Sequence, residues 1–172
     1  MSVISWNESL MLNQTVMDQT HEEFVQLLNR LADASGSELS AVLEEFITHT
    51  EAHFAQEEQW MAQMAFAPLH CHAAEHEGVL EIALEVRRRV AAGEVHLARV
   101  LAQATAEWFA NHAVSMDAVL AMYMKQIDFQ PGRDAQPSAV APGMEFACGV
   151  AGNSSGSCPA HPPEAATTDQ NQ

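Results

Sequence analysis

Along about the first 130 positions, apolar residues recur at intervals of three and four, which gathers them on one side of a helix, and no useful stretch alternates like a strand. Val16, Phe24, Leu27, Leu28 and Leu31 predict a first helix over residues 16–34. Ser35-Gly36-Ser37 should stop it, since glycine accepts the left-handed conformation that ends helices. Leu39, Val42, Leu43, Phe46, Phe54 and Met61 predict a second helix over residues 38–64. Pro68 then marks a break and a fresh start, because proline is tolerated in a first turn. A third helix is expected over residues 69–92, burying Val79, Leu80, Ala83, Leu84, Val86 and Val90 and ending at Gly93. A fourth is expected over residues 94–126, with Leu97, Val100, Leu101, Trp108, Phe109, Val119 and Leu120. Connections of only a few residues make consecutive helices antiparallel neighbours, so the pattern predicts an all-α, up-down-up-down four-helix bundle.

The flanks differ from the bundle. Residues 1–15 read as an extended arm whose Trp6 and Leu10 cover one side of the helices. After Phe129 periodicity fades, dividing the chain into a bundle (residues 1–130) and a Pro/Gly/Ala/Ser-rich tail (residues 131–172) expected to be disordered. The chain carries 7 Lys and Arg against 23 Asp and Glu, a formal net charge of −16, which argues against nucleic acid as a partner. Its one basic run, Arg87-Arg88-Arg89, falls late in a predicted helix, where cations complement the helix dipole on a solvated face. The opening MSVISWNESL has neither the basic nor the apolar region of a secretory signal. No apolar run approaches the ~20 residues of a spanning helix, so a cytoplasmic protein without membrane insertion is expected, acting as a monomer. Three cysteines, an odd number, do not form a disulfide framework.

Nine histidines are the oddity of this composition, because imidazole is the commonest protein metal ligand. His53 and Glu57 stand four apart in the second predicted helix, which sets them on one face about 5–6 Å from each other. His72 and His76 repeat that spacing in the third helix. His112 and Asp117 are five apart in the fourth, a looser interval that still suits two ligands of one cluster, and the first helix offers His21. A lone histidine on an apolar face is ordinarily a hydrogen-bonded core residue; a contribution from each of four helices is a different matter. Five imidazoles, two bridging carboxylates and one bridging oxo or hydroxo group fill all but one of the twelve positions on two six-coordinate ions. The vacant position falls on the ion with fewer histidines. Imidazole with bridging carboxylate suits iron best. Ferritin-like di-iron bundles use paired Glu-x-x-His motifs, which these spacings do not supply. A histidine-rich, carboxylate-poor site is therefore expected to hold dioxygen rather than cleave it. His49, one turn before His53, reads as a packed histidine, His70, His96 and His161 as surface residues, and Met61, Met64, Met116 and Met122 as core filler. Cys71 is assigned a structural role, and Cys148 and Cys158 read as thiols of the tail.

The chain resembles the bacterial hemerythrins over about residues 1–130. The resemblance is carried by Trp6-Asn7, by Met17-Asp-Gln-Thr-His21-Glu-Glu-Phe24 and by His53-Phe-Ala-Gln-Glu57-Glu-Gln-Trp-Met61. It continues through Pro68-Leu-His-Cys-His72-Ala-Ala-Glu-His76 and Trp108-Phe-Ala-Asn-His112, with Asp117 following. It implies two non-haem irons, one on His72, His76 and His112, the other on His21 and His53, bridged by Glu57 and Asp117. Dioxygen would bind at the open position of the two-histidine iron, inside walls formed by Phe24, Leu28, Phe54, Trp108 and Met116. Three positions depart from the family: Ala113 stands for a larger aliphatic, His49 for an aromatic and Asn13 for a glycine. The resulting expectation is a reversible oxygen binder, not an enzyme, serving storage, delivery or scavenging. The alternatives are an oxygen or redox sensor acting through a partner protein, and a di-iron enzyme acting on peroxide or nitrogen oxides.

Overall fold

A computed structural model describes residues 2–131; the expected disordered tail, with Cys148, Cys158 and His161, lies outside the described residues. The helices are α1 (Thr15–Asp33), α2 (Leu39–Gln63), α3 (Leu69–Ala91) and α4 (Leu97–His112), the last continuing through a π-helical turn (Ala113–Asp117) into α5 (Ala118–Gln126). The expected fourth helix is thus one rod whose hydrogen-bond ladder changes step in the middle. α1 packs on α2 and α4, and α3 packs on the same two helices, which gives the up-down-up-down bundle. Among the described residues there is no strand, and no helix is long and apolar enough to cross a membrane.

The N-terminal arm is pinned by two polar side chains of α1. Asn29 accepts from the Val3 N–H at 2.7 Å and donates to the Ile4 carbonyl at 2.8 Å. Asp18 accepts from the N–H groups of Leu12 (2.7 Å) and Gln14 (3.2 Å). Asn13 between them adopts φ 56°, a left-handed conformation that asparagine tolerates. The arm is not wholly extended, since Glu8–Leu10 form a 3-10 turn that drives Leu10 into the core.

Helix ends follow one device. The Phe66 N–H reaches the Met61 carbonyl (2.9 Å), the Glu94 N–H that of Arg89 (3.0 Å), and the Phe129 N–H that of Met124 (2.8 Å). Each is the six-to-one bond of a Schellman cap, which requires a left-handed residue just before it. Those residues are Ala65 (φ 49°), Gly93 (φ 102°) and Asp128 (φ 54°). α1 ends differently: Ala34 is extended, and the positive φ of Gly36 opens a 3-10 turn into α2 instead of capping α1.

The buried stripes correct the sequence reading in detail. Leu84, Val100 and Val16 are exposed, whereas Met17, Ala98, Ala102 and Ala106 are buried. On α3 the inward line runs His72, His76, Val79, Ala83 and Val90, and Leu84 lies one step, about 100°, off it. Met122, expected in the core, faces solvent. The apolar interior forms two clusters. One gathers Phe24, Phe46, Phe109 and the leucines of α1 and α2; the other gathers Met17, Trp60, Met61, Phe66, Leu120 and Met124. Phe24, Phe46 and Phe109 are completely buried, each worth about 1.5–3 kcal/mol of transfer free energy. Between the two clusters runs a polar layer that every rod crosses.

Ala65 occupies a conformation that costs an L-residue about 1–2 kcal/mol, so Ala65→Gly should raise stability by roughly 0.5–1 kcal/mol and Gly93→Ala lower it by about 1 kcal/mol. Urea unfolding followed by circular dichroism reads both, and midpoint shifts of the same sign would contradict the cap assignment.

Candidate metal centre

The polar layer holds His21 of α1, His53 and Glu57 of α2, His72 and His76 of α3, and His112 and Asp117 of the fourth rod, all buried. These are the seven residues selected from sequence, and the fold brings all of them together. The spacing of four in α2 and α3 does this directly. The spacing of five does not: in an α-helix residue i+5 lies about 140° around from residue i. The π turn removes the discrepancy. The Ala118 N–H bonds to the Ala113 carbonyl, an i→i+5 step that swings Asp117 back under His112. Where the ladder changes step, the Ser115 hydroxyl donates to the Asn111 carbonyl at 2.7 Å.

The two carboxylates divide their oxygens. Glu57 turns Oε1 to Nε2 of His53 (3.2 Å) and His21 (3.4 Å), and Oε2 to Nε2 of His72 (3.4 Å) and His76 (3.5 Å). Asp117 turns Oδ2 to Nε2 of His21 (3.4 Å), and Oδ1 to Nε2 of His72 (3.0 Å) and His112 (3.1 Å). One half of the centre therefore presents three imidazoles and two oxygens, the other two imidazoles and two oxygens. Ligand-type atoms of Glu57, His72, His76, His112 and Asp117 all lie within 4.8 Å of one another, as do those of His21, His53 and Glu57.

This donor set fits cations and is poorly satisfied by itself. Nε2 of His112 faces Nε2 of His72 at 2.9 Å and of His76 at 3.2 Å. A single proton satisfies only one such nitrogen pair, so three converging lone-pair atoms beside a carboxylate oxygen are matched by a positive ion. Both Asp117 oxygens, Glu57 Oε2 and His21 Nε2 are buried without a hydrogen-bond partner. Buried polar atoms ordinarily find partners, and those left over mark a ligand.

The ionisation states point the same way. Burial favours neutral acids here, but the charge of His53 and the imidazoles of His21, His53 and His72 hold Glu57 well below the usual carboxylate range. Asp117 is lowered too: burial and the Glu57 charge oppose ionisation, and His112 and His72 outweigh them. Burial alone would depress His72, yet Asp117 and Glu57 raise it to about 9. Burial pushes His76 down to about 3, with His72 and His112 adding to the effect against Glu57.

Aromatic rings enclose the layer. Phe24 lies 5.6 Å from His53, and Phe109 5.1 Å from His21, with Trp6 edge-on to His21 at 6.5 Å. Phe54 stacks on His76 at 3.9 Å, and Trp108 on His112 at 4.4 Å. Trp108 thus backs the three-histidine half, not the two-histidine half where the sequence reading put it. Phe109, Glu58 and Glu75 were missed as contributors. Glu58 approaches His76 Nδ1 at 3.4 Å and Glu75 accepts from the Trp108 indole N–H at 3.0 Å. Their only signal was adjacency to Glu57 and His76. His49 is half-buried beside Phe24 and His53, packed as expected, with its Nε2 unsatisfied. His70 and His96 are on the surface, and Arg87, Arg88 and Arg89 pair with Glu44, Glu85 and Glu94.

Fold and site together define a metal-binding four-helix bundle. The Hemerythrin HHE cation binding domain matches residues 13–124. A bacteriohemerythrin of Ralstonia nicotianae is 44% identical over 141 residues, covering 82% of this chain and 100% of that protein. One of Stenotrophomonas maltophilia is 30% identical over 129 residues, 73% of this chain and 84% of its own. The crystal structure of a mutant hemerythrin shares the fold at TM-score 0.67 and 23% identity, over 72% of this chain and 98% of that one. The chain belongs to the hemerythrin family.

Two outcomes follow from this geometry. Deleting Val114 shortens the His112–Asp117 interval to four, the spacing that an α-helical ladder aligns directly, so the π turn should vanish while helicity by circular dichroism is kept and Co2+ affinity stays within about threefold. A loss of affinity greater than about tenfold would contradict the reading that the π turn serves to align Asp117 with His112. His72, held near pKa about 9, must lose its proton to bind an ion; below that pH affinity should rise roughly tenfold per pH unit. Proton release measured with an indicator dye during Zn2+ uptake near neutral pH checks the sign.

Proposed function

We propose that this chain binds dioxygen reversibly at a pair of non-haem irons, with His72, His76 and His112 on one ion and His21 and His53 on the other. Glu57 and Asp117 would each offer one oxygen to each ion, with an oxo or hydroxo group expected to complete the set. The observation that carries this reading is the division of carboxylate oxygens, one from each acid toward each half. Membership in the hemerythrin family, and relatives that bear the name bacteriohemerythrin, support it.

The chemistry that such a pair supplies is the reversible two-electron reduction of dioxygen. The chain's own residues set where that occurs and how long it lasts. Three imidazoles and two carboxylate oxygens would give one ion five protein donors, and two imidazoles with two oxygens would give the other four, so the exchangeable position would belong to the half of His21 and His53. Phe24, Phe109 and Trp6 line that half with apolar edges. Apart from the Trp6 indole N–H, these rings carry no hydrogen-bond donor, and the buried Phe24 and Phe109 would limit water on that side. Glu57 and Asp117 would keep both halves in register, because each faces imidazoles from more than one rod.

The test is to load ferrous iron anaerobically and cycle the protein between argon and oxygen while recording its visible spectrum. A charge-transfer band that appears and disappears over many cycles is expected. Immediate irreversible oxidation would instead assign the centre to redox sensing or to turnover of peroxide or nitrogen oxides. His112→Ala should bind iron at least tenfold more weakly and lose the band. Normal binding of two irons by that variant would refute the ligand assignment.

A further inference from the structure

We propose that Glu58 is a positioning residue of the three-histidine half, fixing the His76 ring with Nε2 inward, and that this support makes that half the first to take an ion. The inference deepens the dinuclear reading above and rests on it. Its starting point is the ring of His76, held between consecutive glutamates of α2. Glu57 Oε2 faces its Nε2 at 3.5 Å, and Glu58 Oε1 faces its Nδ1 at 3.4 Å. Successive residues of a helix point about 100° apart, so Glu57 enters the layer while Glu58 turns along the seam with α3. With Glu58 as acceptor, the proton of neutral His76 sits on Nδ1 and the Nε2 lone pair is free for a cation. A carboxylate in that position also makes the imidazole a stronger donor.

The two halves are supported unequally. Phe54 lies flat against His76, with an interplanar angle of 2°. Trp108 lies against His112 at 25°, its indole N–H anchored on Glu75. The Nδ1 atoms of His21, His53 and His112 have no hydrogen-bond partner, so His112 is held by its Trp108 stack, and of these four rings His76 alone has an acceptor at Nδ1. Ligands whose rings are already locked lose little freedom on coordination, so the supported half, which also has one more imidazole, should bind first. The Glu58 side chain is 42% exposed, and water competes for it; its effect is therefore directional more than Coulombic.

The experiment is an anaerobic Co2+ titration of the full chain, followed by calorimetry and visible absorption, for wild type, Glu58→Leu and Glu58→Gln. The wild type should take up two equivalents, the first more tightly. Glu58→Leu should weaken the first step about 10–100-fold and leave the second within about threefold. Glu58→Gln keeps an oxygen that accepts the N–H and should stay within about fivefold of wild type in both. In proton spectra of the cobalt protein, the shifted Nδ1–H signal of His76 should broaden through solvent exchange in the Leu variant and persist in the Gln variant. The role of Glu58 is overturned if Glu58→Leu titrates like wild type. It is overturned equally if both steps weaken together with a lowered melting temperature, which would mark a general structural defect. A wild type that takes up fewer than two ions overturns the dinuclear reading and this one with it.

Discussion

Two acids, Glu57 and Asp117, sit at the centre of the bundle with 1% of their side chains exposed, and the rest of the architecture answers to them. Removing a carboxylate from water costs several kcal/mol unless charge and hydrogen bonds replace the solvent. Among the described residues no lysine or arginine enters the layer to do this. Five imidazoles do, and they come from all four rods because two acids present four oxygens in different directions. The same demand explains why the layer runs across the whole section of the bundle, with an apolar cluster on either side. Those clusters supply the folding free energy that tolerates a polar centre.

The division of the oxygens turns a collection of ligands into two unequal coordination sets. Each acid spans both halves, so their separation is fixed by covalent geometry within a carboxylate and not by the softer packing of helices. Inequality then follows from the count of imidazoles. The surroundings reinforce it: stacked rings and outer carboxylates on the three-histidine side, bare aromatic edges on the other. One half thus offers five protein donors and the other four. Ala113, at the start of the π turn and wholly buried, packs with Phe24 and Phe109 in the cluster next to the open half.

Much of this was legible in the chain. Helical periodicity and short connections determine the bundle, because apolar stripes at intervals of three and four leave few other ways to be buried. The His-x-x-x-Glu and His-x-x-x-His pairs announce convergent ligands for the same reason. Fine assignments at the stripe edges were less secure. Val16, Leu84 and Val100 are as apolar as their neighbours, and only the rotation of each rod decides that Met17, Ala83 and Ala98 go inward. The glycine at position 36 announced a helix end, but which left-handed conformation it serves depends on how α1 and α2 are joined.

The seven side chains that meet in the buried polar layer were therefore all legible in the sequence. Tertiary structure alone decided how they meet. Nothing in Ala113-Val-Ser-Met-Asp117 announces a π turn, because widening one turn gains little locally and is favoured only when Asp117 can reach His112 on its own rod together with imidazoles on two others. Likewise, Glu58 and Glu57 are the same residue type side by side. One faces the layer and the other the seam with α3 because helix α2 is fixed in rotation by its packing, and rotation is a property of the whole bundle.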